Sequence, residues 1–239
     1  MRGLVLEAFN AQGERVQSAL RAFAESNSRE SSGIEGVDAP LSASQLFDVA
    51  AETERFINAV LPGVLASMEN GFAFGAEEIN VEGGFNADDP QARRVIDAIN
   101  RKMRGVQDTT LADINETILR SIENNETVTQ LSSRLQRYFG DTMPGRARTV
   151  AQTSTTGAFE AARELRWDTS GRVQEKRWLT QRDGFVRETH TEADGQEVAT
   201  GRSFTVGGES LRHPGDPNGS AANVINCRCT QLPIIRGDT

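Results

Sequence analysis

The residues best equipped for chemistry lie close together near the end of the chain. Both histidines and both cysteines, His190, His213, Cys227 and Cys229, fall within one 40-residue stretch. Two imidazoles and two thiols are the donor set of a tetrahedral zinc site, with bonds of about 2.0 to 2.3 Å. The spacing argues against that use. A single residue separates the thiols, a shorter gap than the two to four residues of ordinary zinc fingers. The expectation is therefore no cofactor, with zinc on these four groups as the alternative. Without metal, the cysteines pack as a small hydrophobic pair and His190 is hydrogen-bonded through one ring nitrogen. A disulfide between Cys227 and Cys229 would close a strained ring, so the thiols are expected to be reduced.

Asp183, Arg187, His190 and Asp194 also have the makings of an acid–base site, in which a carboxylate orients an imidazole. No nucleophile accompanies them, and their surroundings suggest other work. Loops rich in glycine and proline leave backbone groups to be satisfied, and Asp, Arg and Asn side chains commonly do so. Asp183, Arg187, His190, Asp194, Gly195, Pro214, Gly215, Asp216 and Arg228 are accordingly expected to be structural, and none catalytic. Arg228, placed on a short strand between the cysteines, is expected to form a bidentate pair with Asp183 or Asp216. The competing class is a metal-dependent or acid–base nuclease using Asp183, His190 and Asp194.

These residues sit in a segment, Trp178 to Leu232, punctuated by Gly184, Gly195, Gly207-Gly208 and Pro214-Gly215-Asp216-Pro217. Its pieces are too short to bury a core alone, so they must pack on one another and on a neighbour. A strand is expected over 176–180, up to two helical turns over 185–193 stopped by Asp194-Gly195, a hairpin through Gly207-Gly208, and a last strand over 228–232.

The rest of the chain supplies helices. Leu6, Phe9, Val16, Leu20 and Phe23 make one stripe, and 26–40 is polar and reads as a linker. Ser42 or Ser44 caps the next helix, which Pro62-Gly63 is expected to kink or break. From Asn70-Gly71 to Asn86 the glycine content suggests a loop or short strand, its Phe72, Phe74 and Phe85 either sealing that loop or lining an interface. Asp88-Asp89-Pro90 starts a helix. A new helix is expected after Asp108-Thr109-Thr110, and another from Thr127 to a stop at Gly140. Past Pro144-Gly145 comes a long helix from Arg146 to Trp167. Its hydroxyl-rich middle, Gln152 to Thr156, is a poor helix former, read as a surface that lets a neighbouring backbone come close. The fold class is α+β: a mostly helical N-terminal part followed by a long helix and a small irregular antiparallel sheet. The expected domains are 1–140 and 141–239.

Composition narrows the partners. Twenty-six basic against thirty-four acidic residues give a net charge of -8, which disfavours broad wrapping of nucleic acid phosphate. No run approaches the roughly 20 apolar residues of a membrane span, nor does the start resemble a signal peptide.

The order of Arg146-Ala147-Arg148-Thr149, Thr153-Ser154-Thr155-Thr156, Trp178, Asp183, Arg187-x-x-His190, Asp194-Gly195, Phe204, Pro214-Gly215-Asp216-Pro217 and Asn226-Cys227-Arg228-Cys229 resembles the phage Mu F-like head morphogenesis family. The resemblance covers the chain from about Asp108 onward. It implies a minor capsid protein of a tailed phage, sitting in the capsid interior near the portal after assembly in the host cytoplasm. Its implied partners are the portal or major capsid protein and possibly packaged DNA, without membrane or small-molecule substrate. Its implied roles are head assembly and the packaging and ejection of the genome, without enzymatic activity. The toxin or nuclease domains of some relatives are expected to be missing, because the chain ends about ten residues past Cys229. Many relatives carry Cys-x-x-Cys where this chain has Arg187-x-x-His190, and a histidine near the position of Val224, a set that would form a zinc-like cluster. Those departures count against carrying such a cluster over.

Overall fold

The computed structural model describes residues 1–27, 43–46 and 48–235. The expected linker lies almost wholly outside them, as do Ser42 and Phe47. In chain order the elements are α1 (Arg2–Asn27), α2 (Ala43–Leu46), α3 (Val49–Glu78), α4 (Pro90–Glu123), α5 (Val128–Arg137), a π-helical turn (Tyr138–Thr142) and α6 (Met143–Ser170). There follow β1 (Glu175–Leu179), α7 (Glu188–Ala193), β2 (Glu197–Ala199), β3 (Phe204–Val206), β4 (Glu209–Leu211), α8 (Ala221–Val224) and β5 (Thr230–Ile234). The α+β class stands: long helices, then a small antiparallel sheet.

Two compact units share these elements. The helical unit comprises residues 2–60 and 103–148; the second comprises Met1, 61–102 and 149–239. In the helical unit Phe9 of α1 packs its ring 4.9 Å from that of Phe56 of α3. Gln17 on α1 donates to the Ser132 carbonyl of α5 at 2.9 Å. Thr127 and Gln130 form a reciprocal capping box that starts α5.

Four expectations about helix limits are corrected. Helix α3 continues through Pro62-Gly63 and through Asn70-Gly71 to Glu78, so the latter stretch is neither loop nor strand. The reason is packing: a Cβ on Gly71 would stand 2.2 Å from the Phe159 carbonyl oxygen, so glycine there lets α3 meet α6 backbone to backbone. Phe72 then pairs edge-on with Phe85, and Phe74 packs on Phe159. Helix α4 does not break at Asp108-Thr109-Thr110. Thr109 and Thr110 turn their hydroxyls back onto the carbonyls of Gly105 and Val106, each at 2.9 Å, which keeps them compatible with the helix. Gly140 stops nothing, because the chain winds from α5 through the π turn directly into α6. Pro144 is the second residue of α6 and does not interrupt this continuous winding.

In the second unit β1 is central, pairing antiparallel with β2 on one side and β5 on the other, Trp178 opposite Gln231 and Leu179 opposite Thr230. Strands β3 and β4 form the expected hairpin across Gly207-Gly208, whose φ of 56° and 77° suit glycine. The last strand runs over Thr230–Ile234, two residues later than expected, which leaves Arg228 off the sheet. Trp178, Ala193, Phe204, Val206, Leu211, Cys227 and Cys229 close over a common apolar core.

Candidate functional site

Around that core the chain is held by side chains bonded to backbone. Strand β1 ends at Leu179, and the next residue, Thr180, gives its N–H (2.8 Å) and hydroxyl (3.1 Å) to Asp194. Arg182 donates to the other Asp194 oxygen at 2.9 Å. The Thr180 amide, more than the guanidinium, holds Asp194 below the usual carboxylate range. Gly195, at φ 81°, then returns an N–H to the Trp178 carbonyl at 2.9 Å, fixing where α7 ends relative to β1.

Asp183 and Arg228 form a two-pronged ion pair at 2.7 and 2.8 Å, half-exposed on both sides. The guanidinium of Arg228 is the main cause that keeps Asp183 below its ordinary range. Arg228 also stacks over the Phe185 ring at 5.8 Å. Arg187 stands at the N-cap position of α7, and its side chain donates instead to the Ile225 carbonyl. Asp216 works locally: one oxygen takes the Arg212 N–H at 2.7 Å, the other the Asn218 N–H at 2.9 Å and its side-chain amide at 3.0 Å.

The two histidines of the candidate four-donor set separate. His190, Cys227 and Cys229 are buried together, their ligand-type atoms within 4.8 Å of one another. His190 Nδ1 lies 3.3 Å from Cys229 Sγ and 3.7 Å from Cys227 Sγ, and the ring stands edge-on to Trp178 at 5.7 Å. Nε2 of His190 is buried without a hydrogen-bond partner among the described residues. His213 does not join this group; its Nδ1 faces the Pro214 carbonyl at 3.1 Å. Both cysteines are free thiols. The Cys229 thiol, and then the His190 ring, hold Cys227 well below the ordinary thiol range, while the neighbouring Cys227 sulfur and burial push Cys229 up. A cleft of about 20 Å³ beside them is lined by Phe185, Val186, Arg187, His190, Asn226, Arg228 and Cys229.

A four-ligand zinc cluster of the type the resemblance implies does not fit. The first position is the cation Arg187, already bonded to the Ile225 carbonyl, and Val224 is a buried apolar side chain. Three donors of this chain nevertheless converge. N–S separations of 3.3 and 3.7 Å bracket the value of about 3.5 Å expected for an imidazole and a thiolate bound to one zinc ion.

Helix α6 positions the knot, through residues that sequence patterns partly concealed. Thr153 accepts the Asn226 N–H at 3.1 Å, and a Cβ on Gly157 would stand 2.4 Å from the Gly215 carbonyl oxygen. Both contacts agree with a hydroxyl-rich, small-residue surface that admits a neighbouring backbone. Further along α6, Arg163 lies buried between Glu78, Glu160 and Thr230, its guanidinium 4.8 Å from the Trp167 ring. Burial, only partly offset by Arg163, pushes Glu160 above the usual carboxylate range. Lys176, fully buried on β1, donates to Glu164 and to the Arg212 carbonyl and lies 4.9 Å over the Phe204 ring. Burial also pulls the Lys176 ammonium below its ordinary range. No helix face marked these residues in the sequence, since every position from Glu160 to Leu165 is buried.

The family described as Phage Mu protein F like protein matches residues 112–232, half of the chain and the whole of the knot. The chain is 34% identical over 109 residues, 46% of its length, to an NAD(+)--arginine ADP-ribosyltransferase EFV of Enterococcus faecalis (strain ATCC 700802 / V583), and covers 20% of that protein. It is 27% identical over 130 residues, 51% of its length, to the uncharacterized protein YqbB of Bacillus subtilis (strain 168), covering 41% of it. The chain thus spans well under half the length of either relative. No solved structure matches. Among the described residues, no helix is long and apolar enough to cross a membrane.

Proposed function

The chain belongs to the Phage Mu protein F like family and is a phage head protein, and on that premise we propose that it is a minor structural component of the head, docked at the portal vertex on the capsid interior. Its roles there are head assembly and the packaging and ejection of the genome. It performs no turnover. The observation that carries this reading is that the family match covers the knot from α6 to β5, where the polar residues are spent on main-chain bonds. Asp183 and Asp194, the carboxylates an acid–base reading requires, are each committed to an arginine. The net charge of -8 favours a protein partner over extensive phosphate contact.

The test is reconstruction of particles without imposed icosahedral symmetry, together with quantitative mass spectrometry. A few copies at the portal vertex are expected; copies spread over the whole lattice refute portal docking. The matched relative named as an arginine ADP-ribosyltransferase supplies a distinct enzymatic reading, although the chain covers only 20% of that protein. ADP-ribose transfer by the purified chain from NAD+ to an arginine substrate, or nuclease activity lost in His190→Ala, would displace the structural assignment.

A further inference from the structure

We propose that the cleft formed by α4, α6 and the turn after β4 receives an arginine side chain of a neighbouring head protein. The proposal rests on membership of the head-protein family and not on portal docking, so either can fail alone.

The cleft holds about 280 Å³. Val95 and Ala98 of α4, with Ala161 and Leu165 of α6, give it apolar walls, and Glu164, Asp168 and His213 add polar ones. Glu164 and His213 are each more than nine-tenths buried. Lys176 and Arg212 both donate to Glu164 Oε1, which leaves Oε2 without a partner among the described residues. A carbonyl only accepts, so His213 Nδ1 carries the proton that meets Pro214, and Nε2 keeps a lone pair with no partner among those residues. Asp168 adds a third acceptor: its Oδ2 takes Arg212 at 3.2 Å, while Oδ1 takes nothing among them.

Charge is unbalanced in the same sense. Three carboxylates, Glu164, Asp168 and Asp216, line the cleft, against two inner cations, Lys176 and Arg212, that both serve Glu164. Burial, and then the neighbouring Glu164, lifts Asp168 above the usual carboxylate range. The group that fits is therefore a cation with several N–H donors. Among the described residues only the His190 group gathers three metal-type ligand atoms within 4.8 Å, so this cleft is not built for a metal ion. A guanidinium presents five N–H donors in one plane and is more weakly hydrated than an ammonium, which suits separated acceptors. Its methylene stem packs on the apolar walls. The net charge of -8 suits a basic partner.

Calorimetric titration of the purified full chain tests this. The peptide acetyl-Gly-Arg-Gly-amide should bind one to one, and its lysine counterpart several-fold more weakly. Agmatine, a free cation with the same head, should compete for the site; agmatine binding with the peptide excluded overturns the side-chain source. Asp168→Asn, which keeps the shape of a half-buried side chain, should weaken the peptide by about tenfold, the loss of one charged hydrogen bond. Glu197→Gln, in the exposed pair on β2, should bind as before. Arg94, an exposed cation lining the cleft, opposes a bare cation, so Arg94→Ala should tighten agmatine. A folded chain that binds neither peptide nor agmatine overturns the proposal, as does Asp168→Asn that binds the peptide as tightly as the unaltered chain.

Discussion

In the helical unit a buried carboxylate, Glu52, is met by Arg15 and Arg55, whose side chains reach solvent. In the unit that carries the knot, Lys176 and Glu164 are both buried, as are Arg163 and Glu160. The difference follows from element length. Helices α1 and α4 satisfy their own backbones and need side chains only for an apolar stripe, so charge stays at the edge of the core. The five strands among the described residues have three to five residues each. Such short pieces cannot hold one another by ladders alone, and charged side chains are drawn inward to tie them to α6.

That contrast can be broken directly. Lys176→Ala leaves the Arg212 carbonyl without its donor and the buried Glu164 carboxylate with the part-exposed Arg212 guanidinium alone, and loss of one member of a buried pair costs up to about 3–5 kcal/mol. Urea unfolding should show it. Glu52→Gln should cost clearly less, because its two arginines return to water. Equal losses would show that the units do not differ in how they hold charge.

Glycines give the next largest effect, with opposite signs. Gly157→Ala drives a Cβ to within 2.4 Å of the Gly215 carbonyl oxygen, and both are backbone positions. Overpacking of this kind costs about 1–3 kcal/mol. Gly145 also lies in α6, but a Cβ there meets nothing within 4 Å. Gly145→Ala should therefore gain about 0.5–1 kcal/mol. Thermal unfolding of the two variants separates contact with the knot from helix propensity.

A smaller effect comes from pH. Burial raises Glu160 above its ordinary value of 4.5, so the folded state holds a proton that the unfolded state has released, and its stability falls as pH rises from about that value. Asp194, depressed by the Thr180 amide, behaves in reverse: its contribution is present above the ordinary value of 3.8 and disappears as pH falls through the lower folded one. Glu160→Gln removes the first slope and leaves the second. The Tm of this variant relative to the unaltered chain should rise between pH 5 and pH 7; a constant difference would place Glu160 outside the titration.

Much of the architecture was legible in the sequence because it rests on signals local to it. Asp88-Asp89-Pro90, the capping box at Thr127 and Gly207-Gly208 each fix a boundary by their own chemistry. Failures came where distant packing overrode local preference. Gly71 reads as a loop until Phe159 is seen against it, and Thr109-Thr110 read as a break although their hydroxyls bond within the helix. Among site residues, Asp183, Arg228 and Asp194 were legible, since a carboxylate or guanidinium in a glycine-rich loop has few other uses. Lys176 was not, because a lysine on an alternating strand looks solvent-facing until Glu164 appears one layer away. Nothing in the spacing separated His213 from His190; only the fold sends one to the cysteines and the other to the Pro214 carbonyl.

The smallest effect tests whether the surface of the knot matters as much as its interior. Arg228 presents a fork to Asp183 and a flat face to Phe185, whose own side chain is 87% exposed. Arg228→Lys keeps the charge but loses both the second hydrogen bond and the stacking plane. An exposed ion pair is screened by water and loses side-chain entropy on forming, so the drop in Tm should be measurable yet smaller than that of Lys176→Ala or Gly157→Ala, and should shrink further in high salt. Asp183→Asn should match it, since both remove the same fork. A drop as large as that of Lys176→Ala would mean that the tail is locked from outside, and that the buried pairs on α6 only follow.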